Sequence, residues 1–379
     1  MRIGVVRETK DGERRVGLTP DGVRELVRAG HEVVVEHDAG RASGFADDEY
    51  ADAGATLHAD AEPAWHSDLV VKVKEVQRSE LALLARGTTV FGFAQLIRDP
   101  ELVVALAAAH VNVIAAEAVR DVHGELPVLA PMSRIAGRLA PLAGAEALCH
   151  AVEGGGTLIT GVDDVAPARV VVIGAGNVGR EAAHVAAALG CHVHLWSRGG
   201  DRLARTAHAL ARSRTPVVTD RIGRSATEFA EAVAAADLVI GAVLEPGEAS
   251  PTLITRAMLR SMRRGAALVD VCIDHGGIAE TSRLTTLSDP MYVDEGIVHY
   301  AVPNMPARVP RTATQAYAAA ALPRIARLAA DGIADALDAD PGLAAGVAIW
   351  DGALVDAGLA SAMGTRPALH PWRHRTVTA

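Results

Sequence analysis

At 379 residues the chain is too long for one ordinary core and predicts two or three domains. Its formal net charge of -9 argues against nucleic acid or an anionic membrane as the main partner, and half its residues are hydrophobic, a share inflated by alanine. Cys149, Cys191 and Cys272 fall in apolar surroundings without CxxC spacing, which gives neither a disulfide framework nor a zinc site and fits a reducing compartment.

The N-terminal stretch meets charge too soon for a signal peptide, and the longest apolar run, residues 102–119, is broken by His110, Asn112 and Glu117. A cytoplasmic chain without a membrane span is expected. Residues 1 to about 127 alternate short β-branched runs with alanine-rich amphipathic segments, the pattern of a βαβ domain. Strands are expected over 3–6, 32–36, 68–74 and 89–93, with a helix over 21–29 entered through Thr19-Pro20. Ligands of open α/β sheets sit outside the carboxyl ends of strands, which puts Lys74 and Gln95 where chemistry would be. A snorkelling surface lysine is the alternative for Lys74. Arg15, in the turn Glu13-Arg14-Arg15, reads from spacing as part of a solvated charge cluster.

The segment Leu129-Ala-Pro-Met-Ser-Arg-Ile-Ala-Gly-Arg138 leads into a long helix to about residue 153, with Ser133 as a candidate N-cap. A glycine run at 154–156 precedes the stretch that organises the chain. There the β-branched run 170–173 enters Gly174-x-Gly176-x-x-Gly179, followed by a helix over 180–189 and a second strand over 192–196. Gly174 permits the turn, Gly176 lets the backbone approach a pyrophosphate, and Gly179 lets the helix pack on the strand. Flanked in this way, the motif predicts dinucleotide binding. The acidic residue expected at the end of the second strand is replaced by Ser197, followed by Arg198. An aspartate there would repel a 2′-phosphate and a guanidinium pairs with it, so NADP(H) is expected over NAD(H), with Arg202 as a second contact and NAD(H) as the alternative.

Strands over 237–242 and 267–272 continue this sheet, the latter after a turn at Gly265. Asp274 follows a run that is apolar except for Asp270, and precedes His275-Gly-Gly277; it reads either as an ionisable group in a cleft or as a turn aspartate bonded to its own backbone. Asn304-Met305-Pro306 by itself is an ordinary turn. From about residue 308 an alanine-rich helix over 313–328, interrupted at Pro323, leads into a tail without clear strands. This tail is expected to return to the first domain, giving a substrate domain of 1–127 plus 308–379 and a nucleotide domain of 128–307. His150 and Glu153 are helical neighbours that no further ligand completes, and no G-x-S-x-G occurs, so neither a metal site nor a nucleophilic triad is expected.

Several motifs together resemble the alanine dehydrogenase family, and more distantly the soluble NAD-binding subunit of proton-translocating transhydrogenase, over nearly the whole length. They are Arg7-Glu-Thr-Lys10 with Arg15-Val and Thr19-Pro20, Lys72-Val-Lys74-Glu75, Leu129-Ala-Pro-Met-Ser133 with Ala136-Gly-Arg138, and Val172-Ile-Gly-Ala-Gly176. Gly241-Ala-Val-Leu244 with Pro246-Gly247, Val269-Asp270 with Ile273-Asp274, and Asn304-Met-Pro306 complete the set. The resemblance implies an α/β fold of two Rossmann-like domains with parallel sheets, an active site in the cleft between them, and a homo-oligomer, a hexamer or a dimer. It implies that Arg15 and Lys74 bind the substrate carboxylate, that Met132, Ser133 and Asn304 line the site, and that Asp274 is the acid/base. The dinucleotide would lie on Ser133, Gly174, Gly176, Asn177, Val178, Gly179, Ser197, Arg198, Arg202, Val243, Leu244, Val271, Asn304 and Met305.

This chain departs from the family at two substrate-side positions. Gln95 stands where the family carries a histidine, and Ala116 where a tyrosine is frequent, which suggests a roomier pocket. A glutamine amide polarises a carbonyl or imine but transfers no proton. Either Asp274 then moves every proton, or His275 supplies an imidazole, or an imine arrives preformed. The expected reaction is hydride transfer between the nicotinamide and Cα of a 2-oxo or 2-imino acid, giving an L-amino acid, with Asp274, Gln95, Lys74 and His275 as the catalytic set. The alternatives are an opine-type condensing enzyme or biosynthetic imine reductase, and a nucleotide-binding regulator without catalysis.

Overall fold

Runs of β-branched residues too short for helices become strands in both halves of the chain, and the alanine-rich segments between them become helices. The computed structural model describes residues 1–150, 155–213, 215–243 and 250–374. It divides into two units, one of residues 1–132 and 309–379, the other of residues 133–308.

In the first unit β1 (Arg2–Val5), β2 (Glu32–Glu36), β3 (Thr56–His58), β4 (Leu69–Val71), β5 (Thr89–Gly92) and β6 (Asn112–Ala115) are all parallel, in the order β6-β5-β4-β1-β2-β3. The helix Pro20–Arg28 starts where expected, with the Thr19 hydroxyl accepting from the Gly22 amide and Pro20 in its first turn. In the second unit β7 (Arg169–Ile173), β8 (His192–Ser197), β9 (Val217–Arg221), β10 (Leu238–Gly241), β11 (Ala267–Asp270), β12 (Met291–Asp294) and β13 (Ile297–Tyr300) lie in the order β12-β13-β11-β10-β7-β8-β9. The chain returns to the first unit through the helix Pro310–Asp331, β14 (Val347–Trp350) and β15 (Ala353–Leu354). The parallel strands of each unit therefore follow the doubly wound order, with the crossover direction reversing between β1 and β4 and between β7 and β10.

Several expectations are corrected. The sheets are mixed: β14 runs antiparallel to β6, β15 to β14, and β12 to β13. Two-residue turns with both residues at positive φ build these hairpins, Asp351-Gly352 (44° and 84°) and Glu295-Gly296 (53° and 76°). The tail therefore does carry strands, each too short to show a period. The strand expected over 68–74 ends at Val71. Ser133 lies inside the helix Leu129–Leu148 and caps nothing. Pro323 does not interrupt its helix, because Ala313, Tyr317, Ala321, Ile325 and Leu328 bury one continuous face along 22 residues and outweigh one missing amide. The nucleotide helix begins at Asn177, three residues before the expected start. Cys149 is exposed, whereas Cys191 and Cys272 are buried, and all three thiols are free.

Alanine lets the helices of the second unit sit close to the sheet. Ala136, Ala140, Ala143, Ala182, Ala183 and Ala186 pack on one face against Val170, Val172, Leu195 and Leu238, while Trp196, Phe229, Val239 and Leu268 form the core on the other. Strands covered on both faces have no polar side to alternate with, which is why they read as continuous apolar runs. Among the described residues no helix is long and apolar enough to cross a membrane.

Candidate active site

The three motif glycines have different duties. Gly174 has φ 116°, and a Cβ there would lie 2.2 Å from the Ala242 carbonyl oxygen. At Gly179 it would lie 1.8 Å from the oxygen of Gly174. The fold itself requires these two. At Gly176, by contrast, apart from the glycine and its immediate chain neighbours no atom of the described residues lies within 4 Å of such a Cβ, so this glycine keeps open a space that the protein does not fill. Gly176 is also the N-cap of the helix Asn177–Ala188, whose first internal bond joins the Arg180 amide to its carbonyl at 3.0 Å. The amides of Asn177, Val178 and Gly179 thus face out of the helix start, the arrangement that receives a pyrophosphate. The residues fit a dinucleotide. Ser197 ends β8, and Arg198 and Arg202 beyond it are exposed.

At the carboxyl end of β11, Asp274 and His275 share the short turn Ile273–His275. Asp270 sets the shape of that loop. It is 2 % exposed, with Oδ1 accepting from the Cys272 amide (3.0 Å) and Oδ2 from the Ile278 amide (2.8 Å) and the Ser282 hydroxyl (2.5 Å). One carboxylate therefore ties both ends of the segment that carries Asp274; burial pushes its pKa up while these bonds pull it down. Gly277, at φ 80°, leaves room for it, since a Cβ there would fall 2.6 Å from Asp270 Oδ2. Cys272 Sγ accepts the Val243 amide at 2.9 Å, and burial followed by the nearby Asp270 charge pushes this thiol well up, so it joins strand ends rather than reacting. Asn304 heads a turn at φ 58°, with its carbonyl accepting the Ala307 amide, and Met305 is buried. Leu244 lies outside the described residues, as do Glu153 and Pro246-Gly247.

In the first unit the carboxyl edge of the sheet gathers Arg15, Lys74 and Gln95 on the loops after β1, β4 and β5. Arg15 is not solvated. It is 2 % exposed, with Nε and Nη2 on the two oxygens of Glu13 (2.7 and 2.5 Å) and Nη1 3.2 Å from Met132 Sδ. A bidentate carboxylate lets a guanidinium be buried where a loose charge run would stay in water. Nor is Lys74 a snorkelling surface residue: it is 4 % exposed, with Nζ 3.7 Å from Glu75. Behind it Lys72 is fully buried between Glu80 (2.8 Å) and Glu8 (3.4 Å). Burial alone would lower Lys72, and these two carboxylates more than reverse that, while burial raises Glu8. Glu8 also accepts the amides of Val73 (2.6 Å) and Lys74 (3.3 Å), and the Tyr317 hydroxyl donates to the Lys72 carbonyl (2.8 Å), so both chain ends brace this loop.

Gln95 sits at φ 45°, a left-handed backbone that costs a non-glycine residue energy. Glu117 holds it there by accepting the Gln95 amide at 2.8 Å and the Ala94 amide at 3.1 Å. Burial pushes Glu117 up against these bonds and the Lys74 charge. A cavity of about 510 Å³ adjoins, walled by Lys10, Glu75, Arg78, Gln95, Arg98 and Asp99 among others. Arg15, Lys74 and Met132 do not line it, and neither does Ala116, which is fully buried. Sequence reasoning gave no role to Glu8, to Glu13 of the charge cluster, to Glu117 beyond interrupting an apolar run, or to Asp270 beyond an interruption and a motif position. The signal for Glu117 and Asp270 was in view: each is a carboxylate inside an apolar run, which has to find donors once buried.

Two family models together match most of the chain. The family described as Alanine dehydrogenase/PNT, N-terminal domain, matches residues 4–136, and its C-terminal counterpart matches residues 140–357. The chain is 46% identical over 372 residues to an alanine dehydrogenase of Halomonas elongata, covering 96% of this chain and 97% of that one. It is 41% identical over 348 residues to an alanine dehydrogenase of Bacillus subtilis, covering 92% and 90%. A solved L-alanine dehydrogenase superposes with a TM-score of 0.91 at 41% identity over 96% of this chain and 99% of its own. A Sinorhizobium meliloti transhydrogenase structure gives 0.81 at 26% identity, over 94% and 100%. The chain therefore belongs to the alanine dehydrogenase/PNT family and is an oxidoreductase of amino-acid metabolism, a dehydrogenase of CH–NH2 donors that works with a nicotinamide cofactor.

Proposed function

We propose that this dehydrogenase prefers NADP(H) and interconverts a 2-oxo or 2-imino acid with the corresponding L-amino acid. The observation that carries the substrate reading is the burial of two cations, Arg15 at 2 % and Lys74 at 4 % exposure, on the loops at one sheet edge. Buried cations at the carboxyl edge of a doubly wound sheet suit a substrate carboxylate. In this reading Arg15 and Lys74 orient the carboxylate with Met132 against the guanidinium, and Gln95 donates a hydrogen bond to the carbonyl or imine. Asp274 takes or gives the proton, with His275 beside it on the same turn. The nicotinamide, when bound, supplies or accepts the hydride. Gly176 with the amides of residues 177–179 would hold the pyrophosphate. Ser133, Val243, Val271, Asn304 and Met305 would line the rest of the cofactor, and Ser197 with Arg198 and Arg202 would receive the 2′-phosphate.

A second reading, reduction of an imine formed from a larger amine, is favoured by Gln95, whose amide polarises an imine but transfers no proton. Cofactor oxidation separates the two, measured with pyruvate and ammonia and then with larger 2-oxo acids and amines, each with NADPH and NADH. Turnover with ammonia supports the first reading, whereas turnover only with an organic amine supports the second. Equal or better efficiency with NADH would overturn the cofactor preference.

A further inference from the structure

We infer that Arg221 is a second specificity-determining cation for the adenosine end of the cofactor, gripping the 2′-phosphate together with Arg198. The inference rests on the NADP(H) reading and adds to it a residue from a different strand. Ser197 and Arg221 end neighbouring parallel strands and pair in register, and the Ile222 amide donates to the Ser197 carbonyl at 2.8 Å. Arg221 therefore emerges at the level of the position where a doubly wound fold contacts the adenosine ribose.

The loop after Ser197 is shaped around this arginine. Gly199 has φ 95°, and a Cβ there would lie 2.4 Å from Arg221 Nε and 2.9 Å from its Cδ. The arginine side chain thus lies across the bare backbone of Gly199, and a larger residue at that position would displace it. The adjacent Asp220 is engaged elsewhere, by His194 (3.3 Å) and Arg224 (3.5 Å). Among the described residues Arg221 forms no ion pair, although it is exposed at the carboxyl edge of the sheet. A guanidinium laid against backbone beside a serine, with Arg198 on the same loop, presents two planar donor forks to one phosphate dianion. An unphosphorylated ribose offers them only hydroxyls.

The test is calorimetric titration of the full-length enzyme with 2′,5′-ADP and with 5′-AMP, for the parent, Arg221→Gln and Arg198→Gln, with thermal melting as the folding control. The parent is expected to bind 2′,5′-ADP more tightly than 5′-AMP. Each substitution should weaken 2′,5′-ADP about 10- to 100-fold while moving 5′-AMP less than about twofold, as for loss of one charge-assisted contact. A parent without preference for 2′,5′-ADP overturns both the NADP(H) reading and this inference. A preference lost in Arg198→Gln and kept in Arg221→Gln overturns the inference alone. Equal weakening of both ligands by Arg221→Gln overturns it too, since that would be a general effect on the loop. A Gly199→Asn variant, strained at this φ and therefore read only if its melting temperature stays near the parent's, gives an independent check: displacing the arginine should reproduce the selective loss.

Discussion

Asp270 and Glu117 show what a buried carboxylate does when it is not chemistry. Each accepts backbone amides at the ends or root of a loop, and each loop carries a residue proposed to act on substrate, Asp274 in one case and Gln95 in the other. For Glu117, replacement by alanine removes both amide acceptors and releases Gln95 from φ 45°. The expected loss is on the order of 100-fold in kcat, the scale of a misplaced catalytic group. Glu117→Gln keeps an oxygen for the same amides and should lie within about tenfold of the parent. Steady-state kinetics on both variants checks this, and equal losses in the two would mean that the charge beside Lys74 matters more than the hydrogen bonds. Asp274→Asn should lower turnover by roughly 100-fold or more, as for a general acid–base group, with dinucleotide binding intact by fluorescence titration. These roles were only half legible. Arg15 and Lys74 stood out as cations, but a charge run looks the same in a sequence whether water or Glu13 solvates it.

At the scale of elements, the strand–turn–helix at residues 169–188 does two things with three glycines. Gly176→Ala adds a methyl to open space and should leave the melting temperature near that of the parent while abolishing dinucleotide binding. Gly179→Ala drives a Cβ to 1.8 Å from the Gly174 oxygen. Overpacking of that kind costs about 1–3 kcal/mol, visible as a lower denaturant midpoint. The hairpin β12–β13 is fastened to the helix Arg256–Ser261 by Glu295, which accepts from Arg256 (2.9 Å) and Arg260 (2.7 and 2.8 Å). Those arginines hold the Glu295 carboxyl down at about 2, from an ordinary 4.5. Its contribution is therefore present above pH 4.5 and is lost as pH falls through about 2. Melting curves of Glu295→Gln should accordingly show a shallower decline than the parent between these values, and parallel declines would count against the fastening. The spacing of strands and turns was readable in advance because glycine and β-branched residues act locally. The two antiparallel edges were not, because a four-residue strand is decided by the neighbour it pairs with.

At the scale of the whole molecule, one unit is a continuous stretch and the other is assembled from both chain ends. Residues 133–308 carry their own sheet and a core on each of its faces, and expressed alone they should fold cooperatively and bind 2′,5′-ADP. Residues 1–132 alone lose β14 from the edge of β6, the Tyr317 bond to the Lys72 carbonyl and the Thr314 bond to the Val16 amide, and should give no cooperative melt by circular dichroism. A cooperative transition in that fragment would show that the returning segment is dispensable for its fold. What the sequence determined by itself was what local steric and periodic rules govern, the parallel βαβ pattern, the glycine turn and the serine and arginine after the second nucleotide strand, while the glutamine in place of a histidine was legible only through the family resemblance. Tertiary structure alone decided which charges are buried against which carboxylates, that Glu8 and Glu117 hold the loops carrying Lys74 and Gln95, and that Arg221 lies across Gly199. These depend on contacts between residues far apart in the chain or on neighbouring strands, and burial is a property of the packed whole that no single residue carries.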